Sequence, residues 1–153
     1  MRAVLQRVNK GGVNIQENNY SESIGKGLVI LLGIKSSDSR SDVIYVADKC
    51  CNLRIFPDAE NKMNLSVKDI NGEVLIISQF TLYGNTVKGN RPGFTDAARP
   101  EAAIPLYNKF IERVKLNIGD EKVKTGIFGA MMEVIIHNDG PVTVIVESPE
   151  KPG

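Results

Sequence analysis

Two hydrophobic periods run along this chain. Met1 to Val8 and Gly12 to Gln16 are rich in β-branched residues and read as strands. Leu28 to Ile34 is an apolar run bounded by glycines, the pattern of a strand buried on both faces. Met63, Leu65 and Val67 alternate with polar residues, and Asn71-Gly72 then offers a tight turn into Glu73 to Leu82, which predicts a hairpin. Met131 to His137 and Val142 to Glu147 predict a second hairpin, joined by Asn138-Asp139-Gly140-Pro141.

Two segments carry helical spacing instead. Val43, Val46, Ala47, Cys50 and Leu53 share one face after Ser41, which reads as an N-cap. Ile104, Tyr107, Phe110, Ile111 and Val114 do the same after Pro100, and Pro105 is tolerable only near that helix start. Many strands and two helices without strict βα alternation predict an α+β fold with mixed or antiparallel sheets.

The 153 residues make one domain by length, and a monomer of this size buries roughly 70% of its unfolded surface. Residues 1–147 are expected to form that domain. The tail, 148–153, has two prolines and no apolar anchor, and is expected to fray. The longest apolar run, Leu28 to Leu32, is too short to span a bilayer, and Met1 to Val8 does not read as a signal peptide. With two adjacent cysteines, Cys50 and Cys51, that can hardly pair with each other, the expectation is a cytoplasmic protein.

Charge and metal-ligand chemistry narrow the function classes. Nineteen Lys and Arg against eighteen Asp and Glu give a net charge of +1, so nucleic-acid binding has to rest on a local patch. One histidine, His137, and one cysteine pair make neither a His-rich nor a Cys-rich zinc site, and no metal or other cofactor is expected.

Three segments carry candidate chemistry. Gly84 to Gly89, GNTVKG, has the glycine spacing of a phosphate loop, but Asn90-Arg91 stands where Lys and a hydroxyl residue are needed, so a flexible surface loop is the better reading. His137 is a candidate general base, since histidine as a residue type titrates near neutrality, but no supporting Asp-His-Ser order accompanies it. Ser78-Gln79-Phe80-Thr81-Leu82 sets two hydroxyls and an amide into an apolar strand, where each would cost about 1 to 3 kcal/mol if buried and unpaired. Either that strand has a wet face or those groups have a use.

SQFTL at 78–82, TGIFGAMM at 125–132 and NDGPVT at 138–143, with the opening MRAVLQRV and the loop GNRPGF at 89–94, resemble the D-aminoacyl-tRNA deacylase family. The resemblance runs from Met1 to about Glu147, with its two main motifs in order and far apart. It implies a barrel-like pair of β-sheets with two main helices packed outside. It also implies a homodimeric hydrolase that cleaves the ester between a D-amino acid and the 3′-terminal ribose of tRNA. Ser78, Gln79, Phe80 and Thr81 are then the catalytic strip. Gly140 and Pro141, joined by a cis peptide, form a chiral gate that projects into the partner subunit's site, with Arg7 holding it. Phe128 and Met132 enclose the terminal adenine.

The chemistry implied needs no metal and no strong base. An aminoacyl ester is already activated by its α-ammonium group, so backbone N–H donors near Phe80 and Thr81 acting on the oxyanion would supply about 3 to 4 kcal/mol. An unassisted Thr81 hydroxyl is a weak nucleophile, which favours water attack assisted by the ribose 2′-hydroxyl, with Thr81 positioning. A gate that works by excluding an L side chain admits glycine, so glycyl-tRNA is an expected substrate beside D-aminoacyl-tRNA. The competing readings are a non-enzymatic single-stranded nucleic-acid-binding module using Tyr83, Phe94, Lys88, Arg91 and Arg99, and an esterase built on His137.

Overall fold

The computed structural model describes residues 1–152. Its framework is one long strand, β1 (Arg2–Ile15), which pairs along both edges. On one edge its first half is antiparallel to β3 (Gly27–Gly33) and its second half to β2 (Tyr20–Ile24). β1 is continuous where the sequence predicted two strands, because Gly11 lets it pass closely over its neighbours: a Cβ there would lie 2.8 Å from Val29 Cγ2.

Beyond β3 the sheet continues with β6 (Glu73–Ser78) and β7 (Val123–Thr125), both parallel to their neighbours. Burial explains that position for β6: Val74, Leu75, Ile76 and Ile77 are all at most 1% exposed, and each fully buried aliphatic side chain contributes about 1.5–3 kcal/mol. Asn71-Gly72 is indeed a tight turn, with Asn71 at φ 55°, but it does not close a hairpin. The residues before it form β5 (Met63–Leu65), which pairs with β4 (Phe56–Pro57) in a separate small sheet.

The second predicted hairpin is also revised. Residues 133–147 form one strand, β8 (Glu133–Glu147), whose two halves both pair with β1. Thr143 faces Gln6 and Asn138 faces Val8, so residues 139–142 are thrown out of the ladder as a wide bulge. A partner strand long enough to take both halves makes a hairpin unnecessary.

The sheet curls until the Tyr20 hydroxyl on β2 donates to the Thr125 carbonyl on β7 at 2.8 Å, giving a nearly closed, barrel-like sheet. Val8, Val13, Ile15, Val29, Leu75 and Ile77 fill one side of it. The other side packs against the helices α1 (Arg40–Asn52) and α2 (Pro100–Ile118) through Leu5, Ile30, Val46, Phe110 and Val114. The N-cap of α1 is Ser39, two residues before the predicted Ser41, because Asp42 reaches back to accept from the Ser39 N–H at 2.7 Å. The architecture is a single α+β domain with two helices.

The tail has no apolar anchor but makes polar ones. Ser148 N–H donates to the Met1 carbonyl at 2.9 Å, and Lys151 Nζ reaches Asp42 at 2.8 Å and the Ser37 carbonyl at 2.7 Å.

Candidate active site

β6 ends at Ser78, earlier than the sequence pattern suggests. The Gln79 N–H still donates to Leu32 O on β3 at 2.8 Å, and the chain then winds into a 3₁₀ turn, Phe80–Tyr83. Gly33, the last residue of β3, permits that: a Cβ on it would lie 3.0 Å from Leu82 Cβ and 3.2 Å from both the Gln79 carbonyl and the Tyr83 ring. The turn therefore folds back onto bare backbone.

Winding into a helical turn leaves its first N–H groups without intrahelical partners. Those of Phe80 and Thr81 have no hydrogen-bond partner among the described residues. Beside them the Gln79 side-chain amide donates to Thr81 Oγ1 at 2.5 Å, which fixes the amide and holds the hydroxyl oxygen as an acceptor. Phe80 is 55% exposed and meets Phe94 edge-on, ring centres 5.2 Å apart. Phe94 closes the loop after the turn, whose ends are tied by reciprocal backbone bonds between Asn85 and Gly93. That loop is exposed throughout 85–94 and makes no phosphate cradle. The Tyr83 phenol behind the turn is pushed well above its usual range by burial and then by the Asp38 carboxylate, so it stays protonated.

The bulge on β8 has the opposite character. Gly140 and Pro141 are exposed, their peptide bond is cis, and Gly140 sits at φ 120°, a region that favours glycine. Three polar side chains beside it are tied down. Asn138 Nδ2 donates to the Arg7 carbonyl at 3.0 Å and to the Val142 carbonyl at 3.1 Å, stapling the base of the bulge. Arg7, with its side chain 11% exposed, donates to the Ile55 carbonyl at 2.8 Å and approaches Asp139 at 3.1 Å. The latter contact is an ion pair off the hydrogen-bond direction, so Arg7 Nε has no hydrogen-bond partner among the described residues. A Cβ on Gly140 would lie 3.1 Å from Arg7 Nη2.

Within one chain these two features do not meet. Ser78 is in register with Leu32, Ala3 and Val146 across four strands, whereas the bulge lies beside Arg7. That separation is three strand spacings across and four residues along, on the order of 20 Å over the sheet.

The remaining candidates are scattered. Phe128 and Met132 are half-buried in the segment between β7 and β8, but Phe128 packs edge-on to Tyr107 in the helix layer, while Met132 packs on the other apolar cluster. His137 is an exposed residue of β8 opposite Lys10. Cys50 and Cys51 are buried, and burial pushes the Cys51 thiol up to about 12, which makes it a poor nucleophile. A concavity under the tail, lined by Lys35, Asp38, Glu147 and Lys151 among others, reaches Arg2 and Tyr83 at the back of the turn. Sequence reasoning missed Gly33 and Asn138 as supports; Gly33 had no signal, since it ends an apolar run like any strand-terminal glycine. Chemically, the turn offers two open N–H donors, an amide and hydroxyls, and no group that readily takes a proton.

The sequence model of the D-Tyr-tRNA(Tyr) deacylase family matches residues 4–147. A D-aminoacyl-tRNA deacylase of Cytophaga hutchinsonii is 52% identical, with 99% of each chain covered. One from Clostridium botulinum is 54% identical over 97% of each. Among solved structures, the c-Myc DNA unwinding element binding protein superposes with a TM-score of 0.92 at 41% identity, covering 98% of this chain and all of that one.

Proposed function

The chain belongs to the D-Tyr-tRNA(Tyr) deacylase family and is a hydrolase of the ester joining a D-amino acid to tRNA; from that premise we propose that Ser78, Gln79, Phe80 and Thr81, at the entry to the Phe80–Tyr83 turn, are the catalytic strip and the Gly140–Pro141 bulge the chiral gate. The observation that carries this reading is the pair of open backbone N–H groups at Phe80 and Thr81 on an exposed turn. As the ester carbonyl becomes tetrahedral, its oxygen gains charge, and prepositioned donors at that point lower the barrier by about 3 to 4 kcal/mol, or 10² to 10³ in rate. No general base is required of the protein. Water attacks with help from the neighbouring ribose 2′-hydroxyl, Thr81 positions rather than attacks, and Ser78 and Gln79 line the strip.

Handedness is set by exclusion. Gly140 and Pro141 present backbone outward, backed by Arg7 and stapled by Asn138, so the wall cannot swing aside as a side chain could. Held against the α-carbon, such a wall admits hydrogen and refuses carbon, which rejects L-aminoacyl-tRNA and passes glycyl-tRNA. Because strip and bulge lie on the order of 20 Å apart along one sheet, the wall over each strip comes from a second copy, which makes the working unit a homodimer. Phe128 and Met132 are assigned to the terminal adenine of the acceptor end, and the cytoplasm is the expected compartment for an enzyme of charged tRNA. No helix of the described chain is long and apolar enough to cross a membrane.

The deciding experiment measures hydrolysis of D-tyrosyl-tRNA and L-tyrosyl-tRNA by wild type and His137→Ala. The expected result is D-specific hydrolysis unchanged in the variant. Loss of activity with His137 would favour an ordinary esterase, and binding without hydrolysis would favour the nucleic-acid-binding module. A log-log salt slope of about −2 to −3 is expected for a protein gripping only the acceptor end.

A further inference from the structure

A 3₁₀ turn of four residues cannot hold its own direction, since its internal bonds are few and poorly aligned. Here Leu82 N–H reaches Gln79 O at 3.3 Å and Gly84 N–H reaches Thr81 O at 2.9 Å. Its leading end is tied to β3 by Gln79. Its trailing end is tied by Arg2, from the first residue of β1. Arg2 Nη1 donates to the Leu82 carbonyl at 2.8 Å, its guanidinium carbon lies 5.0 Å from the centre of the Tyr83 ring, and Nε donates to Glu147 at 2.5 Å. Arg2 is also the register partner of Gly33, the residue onto which the turn folds, and of Glu147.

We infer that Arg2 is a positioning residue for the deacylation, a clamp on Leu82 and Tyr83 that sets where the Phe80 and Thr81 N–H groups point. The inference rests on the reading of this turn as the catalytic strip. Arginine suits the task because its planar fork donates to a carbonyl and a carboxylate at once while lying against a ring, which a lysine ammonium does not reproduce. Glu147 takes Arg2 Nε, whereas the bond to Leu82 is made by Nη1, so the clamp itself does not run through Glu147.

The test combines single-turnover hydrolysis of D-tyrosyl-tRNA with amide hydrogen exchange at Leu82 and Gly84, for Arg2→Ala, Arg2→Lys and Glu147→Gln. Arg2→Ala should speed exchange at both amides and slow the chemical step by about 10²-fold, the scale of an ångström-sized misplacement, with substrate affinity within about twofold. Guanidinium at non-denaturing concentration should restore much of the rate, while sodium chloride at equal ionic strength should not. Glu147→Gln should stay near wild type. Unchanged exchange in Arg2→Ala overturns the clamp whatever the rate does. Faster exchange with an unchanged rate overturns the turn as catalytic strip, a separate failure. Should the alanine variant not fold, Arg2→Lys decides: intermediate exchange and rate support the clamp, and wild-type values in both overturn it.

Discussion

The Phe80–Tyr83 turn and the 139–142 bulge are both polar interruptions of a strand, and both are anchored by an arginine of β1, yet they are built in opposite ways. The turn leaves its backbone donors open and ties down its ends. The bulge ties down Arg7, Asn138 and Asp139 at its base and leaves bare glycine and proline outside. On the proposed reading, one surface gives hydrogen bonds and the other refuses atoms. Arg2 and Arg7 are an odd number of residues apart, so they serve opposite faces of the sheet, and each feature can be disturbed without the other.

That separability is what mutation can break. The largest effect is expected from Arg7→Ala. It leaves the Ile55 carbonyl without its donor and Asp139 without its counter-ion, and because Asp139 remains 29% exposed the cost is about 2–3 kcal/mol rather than that of a fully buried pair. Denaturant unfolding should show that loss, and hydrolysis of L-tyrosyl-tRNA should rise relative to the D form. A large fall in D-tyrosyl-tRNA hydrolysis with the D/L ratio intact would mean that the bulge supports chemistry rather than selection.

Next comes Gly33→Ala, which attacks the turn alone. Its methyl would press on Leu82, the Gln79 carbonyl and Tyr83 at 3.0–3.2 Å, so the turn has to move. The expected outcome is a rate reduced by about 10²-fold with the D/L ratio preserved. A changed ratio at full rate would contradict the division of labour.

Smaller still is Thr81→Ala. Its hydroxyl accepts from Gln79 and stands beside no base, so the variant should fold and keep substantial activity. Mass spectrometry of wild type during turnover should find no acyl group on Thr81; a trapped acyl-enzyme, with activity abolished in the variant, would overturn the water-attack mechanism.

Much of this was readable from the residues, and the misreadings have physical causes. The apolar runs at Leu28–Ile34 and Val74–Ile77 and both helix faces are visible because burial imposes their period. Partner choice is not, since Asn71-Gly72 turns the chain equally well whether the next strand pairs with the previous one or with β3. Asn138-Asp139-Gly140-Pro141 looks like a hairpin turn because the same residues that reverse a chain also fill a bulge; only the length of β1 decides. At the candidate site, the hydroxyls and amide of Ser78–Thr81 stood out against an apolar strand. The open donors did not, because backbone N–H groups carry no sequence letter and the 3₁₀ turn depends on the missing Cβ of Gly33.

The most direct test of selection by exclusion uses the one amino acid without handedness. Single-turnover deacylation of glycyl-tRNA and L-alanyl-tRNA at equal enzyme concentration compares substrates that differ by one methyl group on the refused side. An ordinary pocket separates such a pair by about 1 to 3 kcal/mol, so a stiff backbone wall should give a glycine to L-alanine ratio well beyond that range. Glycyl-tRNA is predicted to be hydrolysed and L-alanyl-tRNA refused. Equal resistance of the two would contradict the account and show that the site requires a D side chain rather than the absence of an L one.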